Sequence, residues 1–124
     1  MALWTALTHN HAQTEAGSPD PRLRGRTYQI AFARVWDTAV ALAEAMPRWR
    51  VILTDEDRGI IQAEARTRVF KFTDDVTIRL RLDDNALTRI DMRSASRRGF
   101  NDLGTNARRI ARFLERLDQR LGVR

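Results

Sequence analysis

Apolar residues recur with two periods along the chain, and the change from one to the other divides it. Phe32, Val35, Trp36, Ala39, Leu42, Ala43 and Met46 return at helical spacing, which predicts an amphipathic helix with a single apolar stripe. That helix ends before Pro47, whose ring disfavours α geometry at the preceding residue. From Trp49 onward the alternation is that of strands. The runs are Trp49–Thr54, Gly59–Arg66, Val76–Leu82 and Leu87–Ser94, and each places alternate side chains on opposite faces. Tyr28–Ile30 predicts a further short strand ahead of the helix.

The connections carry turn chemistry. Asp55–Gly59 reads as a polar hairpin turn, and Asp83–Ala86 as a second one. Residues 67–73, "TRVFKFT", are expected to continue or bend the second strand, with Val69 and either Phe70 or Phe72 turned inward across a bulge. Asp74-Asp75 and Asp83-Asp84 both fall where turns are expected, so they read as turn residues rather than paired catalytic carboxylates. The inward set is Ile61, Ala63, Ala65, Val76, Ile78, Leu80, Leu82, Ile90 and Met92. The outward set, Gln62, Glu64, Arg66, Thr77, Arg79, Arg81, Arg89, Asp91 and Arg93, is polar or charged with mixed sign.

Leu103, Ala107, Ile110, Leu114, Leu117 and Leu121 then define a long amphipathic helix, with Phe113 widening its stripe. Two one-sided helices and one one-sided sheet have a single way to bury their apolar faces. The expected architecture is a single α+β domain. It holds an antiparallel sheet of four to five strands in the order β-α-β-β-β-β-α, with both helices on one face and a charged face to solvent. Residues 1–26, broken by Gly17, Ser18, Pro19, Asp20, Pro21 and Gly25, read as an extended or mobile arm, with Trp4, Leu3 and Leu7 as its docking residues on the domain or on a partner, and 27–124 as the domain.

Composition narrows the chemistry. The net charge is +6, with 12 basic and 11 acidic residues in 28–97 but 7 and 3 in 98–124, so the excess belongs to the C-terminal segment. There Arg109, Arg112, Arg116 and Arg120 fall along one face of the last helix. With no cysteine in the chain, and only His9 and His11 as histidines, neither a cysteine nucleophile nor a histidine-based serine triad fits. The two histidines lack a third ligand for a metal, and no phosphate-cradling or dinucleotide glycine motif follows a strand. No cofactor is implied, and no residue is assigned a catalytic role. No apolar run is long enough to span a bilayer, and the first residues do not read as a secretory signal.

The densest polar stretch is residues 93–106, "RSASRRGFNDLGTN". It should be the end of a strand, a glycine-containing turn and the first turn of the last helix, whose free N–H groups favour an anion. Arg93, Ser96, Arg97 and Asn106 are the candidate ligand-binding residues, with the Ser94 hydroxyl beside them. Asp102 is instead a candidate N-cap that would fill that helix end, paired with Arg93 or Arg97, with Asn106 bonded to the loop backbone and Gly104 allowing close approach. Asp74 and Asp75 are candidate anchors for an arginine of the C-terminal motif.

These residues also carry a resemblance. With Trp49, Gly59, Ile61, Ala63, the "VFKFTDDVTIR" run containing Phe70, Phe72, Asp74, Asp75 and Val76, and above all "RSASRRGFNDLGTNARRI", the chain from Thr27 onward resembles the bacterial and plastid family catalogued as domain of unknown function 1499. The resemblance implies no activity for any residue. Members often follow an export signal, a lipid anchor or a membrane segment, which implies an envelope or lumenal setting. This chain shows no such segment, which by itself reads as cytoplasmic.

Three function classes follow. The first is a small binding or accessory domain for a small anion or a protein partner near residues 93–106. The second is sequence-independent contact of the arginine stripe with nucleic acid or an anionic membrane surface. The third is a hydrolase or lyase built on arginine and carboxylate groups.

Overall fold

A computed structural model describes residues 11–68, 71–97 and 103–123. Expectations that fall on Trp4, His9, Val69, Phe70, Arg98 and Asp102 lie outside these residues. The described elements are β1 (His11–Gln13), a single 3₁₀ turn (Pro21–Leu23), β2 (Arg26–Tyr28), α1 (Phe32–Ala45), β3 (Trp49–Asp55), β4 (Ile60–Arg66), β5 (Thr73–Leu82), β6 (Thr88–Ser96) and α2 (Leu103–Leu121). All strand pairs are antiparallel, and the six-stranded sheet runs β1-β6-β5-β4-β3, with β2 also on β6. Both helices lie on one face, and the other face is charged, as the alternation predicts.

The sheet is wider than expected because part of the predicted arm belongs to it. Residues 93–95 of β6 pair with β1, and residues 88–90 pair with β2. Thr14 fixes this junction. Its amide donates to the Met92 carbonyl at 2.8 Å, its hydroxyl accepts from the Met92 amide at 2.9 Å, and the same hydroxyl donates to Asp91 Oδ1 at 2.7 Å. Arg89 grips Asp91 through two nitrogens and reaches the Arg24 carbonyl at 2.6 Å. The chain passes this pair at Gly25, where φ is +73° and an added Cβ would overlap both Arg89 and Asp91.

Ala107, Ile110, Phe113, Leu114, Leu117 and Leu121 of α2 are buried against the sheet with Val35, Trp36, Ala39, Leu42 and Ala43 of α1. Trp49 stacks on Phe113 with ring centroids 5.4 Å apart, which ties β3 to α2. The predicted inward set is buried except for Leu82, which is 56% exposed at the end of β5. One further expectation is corrected. Asp74 and Asp75 are not in a turn, because β5 begins at Thr73 and pairs both with β4. The irregularity identified in the ladder lies between Val51 and Leu53 of β3.

Gly59 closes the β3–β4 hairpin at φ +69°, with its carbonyl accepting from the Leu80 amide at 2.7 Å. An added Cβ would run into the Leu80 carbonyl. Gly59→Ala should therefore destabilise the fold by about 1–3 kcal/mol in urea unfolding. Gly17→Ala, where nothing lies within 4 Å, should leave the midpoint near wild type.

Candidate functional site

Two adjacent aspartates on β5 point to opposite faces, and each founds a separate network. On the covered face the Asp74 side chain is 2% exposed and its partner Arg109, from α2, 10% exposed. Arg109 Nη1 donates to Asp74 Oδ2 at 2.7 Å and lies 3.0 Å from Asn106 Oδ1 and 3.1 Å from Ser94 Oγ. The Ser94 hydroxyl donates to Asn106 Oδ1 at 2.8 Å, and Asn106 Nδ2 donates to Ser96 Oγ at 3.1 Å. Strand register places Asp74 opposite Ser96 and Val76 opposite Ser94. Asn106 and Arg109, three residues apart, share a face of the helix and descend onto them together.

This cluster draws in Asn106 and Ser96 of the candidate residues, with Ser94 beside them. Ser94 and Asn106 are 0% exposed and bonded to each other and to Arg109, so their polar atoms are used within the fold. Arg109, expected on an exposed basic stripe, is instead the cation of a buried pair, because the stripe's edge rotates onto the sheet. Gly104 lies exposed in the first turn of α2.

On the wet face Arg97 donates to Asp75 at 2.8 Å through Nη2 and at 3.1–3.2 Å through Nε, and to Glu64 Oε2 at 2.6 Å. Glu64 and Asp75 are directly opposed across β4 and β5, a like-charge pairing that is unfavourable by itself. The guanidinium between them reverses its sign. Arg50 of β3 meets the other Glu64 oxygen at 2.8 Å. These two arginines, through hydrogen bonds first from Arg50 and then from Arg97, hold the Glu64 carboxyl below its ordinary range. Arg93 is exposed on the same face, with Nη2 3.2 Å from His11 Nδ1. Neither Arg93 nor Arg97 points into a shared cavity with Ser96 and Asn106; the strand parity separates them.

The other arginines of the predicted stripe diverge. Arg116 leans on Met46 Sδ at 3.8 Å, and Arg120 is exposed in the last turn of α2. Arg112 lines an open groove of about 560 Å³, together with Arg22, Arg26, Arg108, Ala111 and Glu115 among others. One wall is the exposed side of α2, and the other is the 3₁₀ turn with the start of β2. Asp118 fastens that wall by accepting from Arg26 Nε at 3.0 Å and from the Tyr28 hydroxyl at 2.6 Å. Burial first, then this carboxylate, pushes the Tyr28 phenol far above its ordinary value, so it remains a donor. Arg22 is engaged by Asp20 at 2.8 Å. Among the described residues Arg108 and Arg112 have no carboxylate partner. Arg22 and Arg26 were absent from the sequence-based candidates because they lie in the predicted arm, far from α2 in the chain.

The fold and these networks define a one-sheet α+β domain in which a buried ion pair joins the central strands to the C-terminal helix. The chain belongs to the family described as protein of unknown function DUF1499, whose model matches residues 5–117. Comparison with curated proteins and with solved structures gives no match.

Two measurements follow. Removing either partner of the buried pair, by Asp74→Asn or Arg109→Met, should cost about 3–5 kcal/mol, while the double variant should cost less than the sum, as a double-mutant cycle by urea unfolding would show. The pH response has a definite sign. Because its carboxyl is held low, Glu64 contributes stability that is complete above the ordinary glutamate value of 4.5 and is lost as pH falls through the lower folded value. Glu64→Gln should flatten that acid limb of the stability profile.

Proposed function

We propose that this is a small accessory domain that binds an anionic group, and that it does so in the groove beside α2. The observation that carries the reading is the groove's excess cation. Arg108 and Arg112 stand one turn apart without a carboxylate partner among the described residues, facing Arg22 and Arg26 across a space lined by the small Ala111. Guanidinium groups held in this way suit the paired oxygens of a phosphate or carboxylate. The volume falls in the range of roughly 300–1,000 Å³ common for small-ligand sites.

The location differs from the one expected from sequence. Within residues 93–106, Arg97 serves Asp75 and Glu64, Arg93 lies on His11, and Ser94 donates to Asn106. The stripe reading, contact with nucleic acid or a membrane surface, loses Arg109 to the interior and draws Arg116 toward Met46. A hydrolase or lyase has no support from the described clusters, whose most buried hydroxyl, Ser94, is sealed by Asn106.

Thermal-shift and calorimetric titration with inorganic phosphate, citrate and phosphate monoesters tests the proposal. At a hundredfold excess over Kd, a bound anion should stabilise the wild type by about 2.7 kcal/mol. Arg108→Ala combined with Arg112→Ala should abolish the shift, and Arg97→Ala should retain it. An equal shift in the double variant, or none in the wild type with any of these anions, rejects the groove.

A further inference from the structure

The two edges of the sheet are treated differently. At one edge β6 is covered along its length by β1 and β2. At the other, six of the seven residues of β3 pair with β4 on one side, and no described strand pairs with its outer side. Its centre carries two of the largest exposed apolar side chains described, Ile52 at 49% and Leu53 at 45%. An uncovered edge with apolar residues at its middle is a template for another strand.

We propose that β3 is a self-association edge, pairing antiparallel with β3 of a second copy about a two-fold axis between Ile52 and Leu53. The bulge selects this register. Across the ladder Arg50 lies opposite Glu64, Leu53 opposite Gln62 and Asp55 opposite Ile60, which places Arg50, Leu53 and Asp55 on the wet face. Val51 and Thr54, opposite Ala63 and Ile61, face the helices. In a regular strand, residues 50 and 55 would lie on opposite faces and could not be cross-strand partners in a two-fold pair. The extra residue between Val51 and Leu53 brings both to one face. Arg50 of each copy then meets Asp55 of the second copy, and Val51 meets Thr54. The exposed Ile52 and Leu53 meet their counterparts at the axis. The strand is thus complementary to itself in charge, in facing and in apolar content, as an isologous contact requires.

The surface groups leave room for this. The Arg50 side chain is 75% exposed beside Glu64, and the Asp55 side chain is 37% exposed, with Oδ1 accepting from the Arg58 amide at 3.2 Å and Oδ2 3.7 Å from the Arg58 guanidinium. The groove beside α2 is lined by no β3 residue, so association leaves it open and the two proposals stand or fall separately.

Sedimentation velocity over a concentration series, with circular dichroism to verify folding, tests the edge. The wild type should reach a monomer–dimer equilibrium. Leu53→Lys should remove the dimer. Asp55→Arg, which sets like charges opposite each other twice per dimer, should weaken it by about tenfold, and adding Arg50→Asp should recover most of that loss. A wild type that stays monomeric at millimolar concentration overturns the proposal. So does a dimer indifferent to Leu53→Lys, or one that the paired charge exchange fails to restore.

Discussion

The contact between Asp74 and Arg109 constrains everything around it. Moving a carboxylate and a guanidinium out of water costs several kcal/mol per ion, and their attraction offsets that cost only where the remaining hydrogen-bonding positions are also filled. Asn106 and Ser94 fill them. The requirement fixes three relationships together: Asp74 must lie opposite Ser96, Ser94 two residues earlier on β6, and α2 must be rotated so that positions 106 and 109 both face the sheet. A one-residue slip of β5 would carry Asp74 to the wet face, and the slip that put Asp75 in its place would turn Thr77, Arg79 and Arg81 onto the core. The apolar alternation of β5 therefore sets the register, and the pair fixes α2 against it.

Strand parity extends the same logic to the surface. Asp75, next to Asp74, points away from the helices, and so does Arg97, which clamps it to Glu64. The two faces thus hold independent charge systems built from neighbouring residues. Several arginines are used in this way: Arg50, Arg89 and Arg97 meet acids within the sheet, and Arg26 meets Asp118 of α2.

Much of the architecture was legible in the sequence because period is a local signal. The helices over 32–45 and 103–121, the hairpin turns and the wet and covered faces all follow from spacing. Residues 11–28 were harder, since Thr14 finds Asp91 and Arg26 finds Asp118 across most of the chain, and no local pattern encodes such partners. The segment 93–106 was recognised as dense in polar groups, and Asp74 and Asp75 as anchors. Which arginine each aspartate receives depended on parity across β5 and β6 and on the rotation of α2. Arg109 illustrates the limit: its spacing with Arg112 and Arg116 suggests one exposed stripe, yet the stripe's edge is where a helix meets a sheet.

That helix gives the arginines of the groove a setting different from that of the clamped arginines on the sheet. On the sheet an arginine has neighbours on two other strands, and acids stand at several of those positions. Along α2 the neighbours of Arg112 at a spacing of four are Arg108 and Arg116, like charges that cost a helix a few tenths of a kcal/mol each. Glu115, three residues from Arg112, offsets part of that repulsion, and Asp118 already serves Arg26 and Tyr28. Arg108 and Arg112 thus stand over an open space with like charges beside them along the helix. An anion arriving there would relieve a repulsion already built into the helix, so the interaction it gains exceeds that of one guanidinium alone.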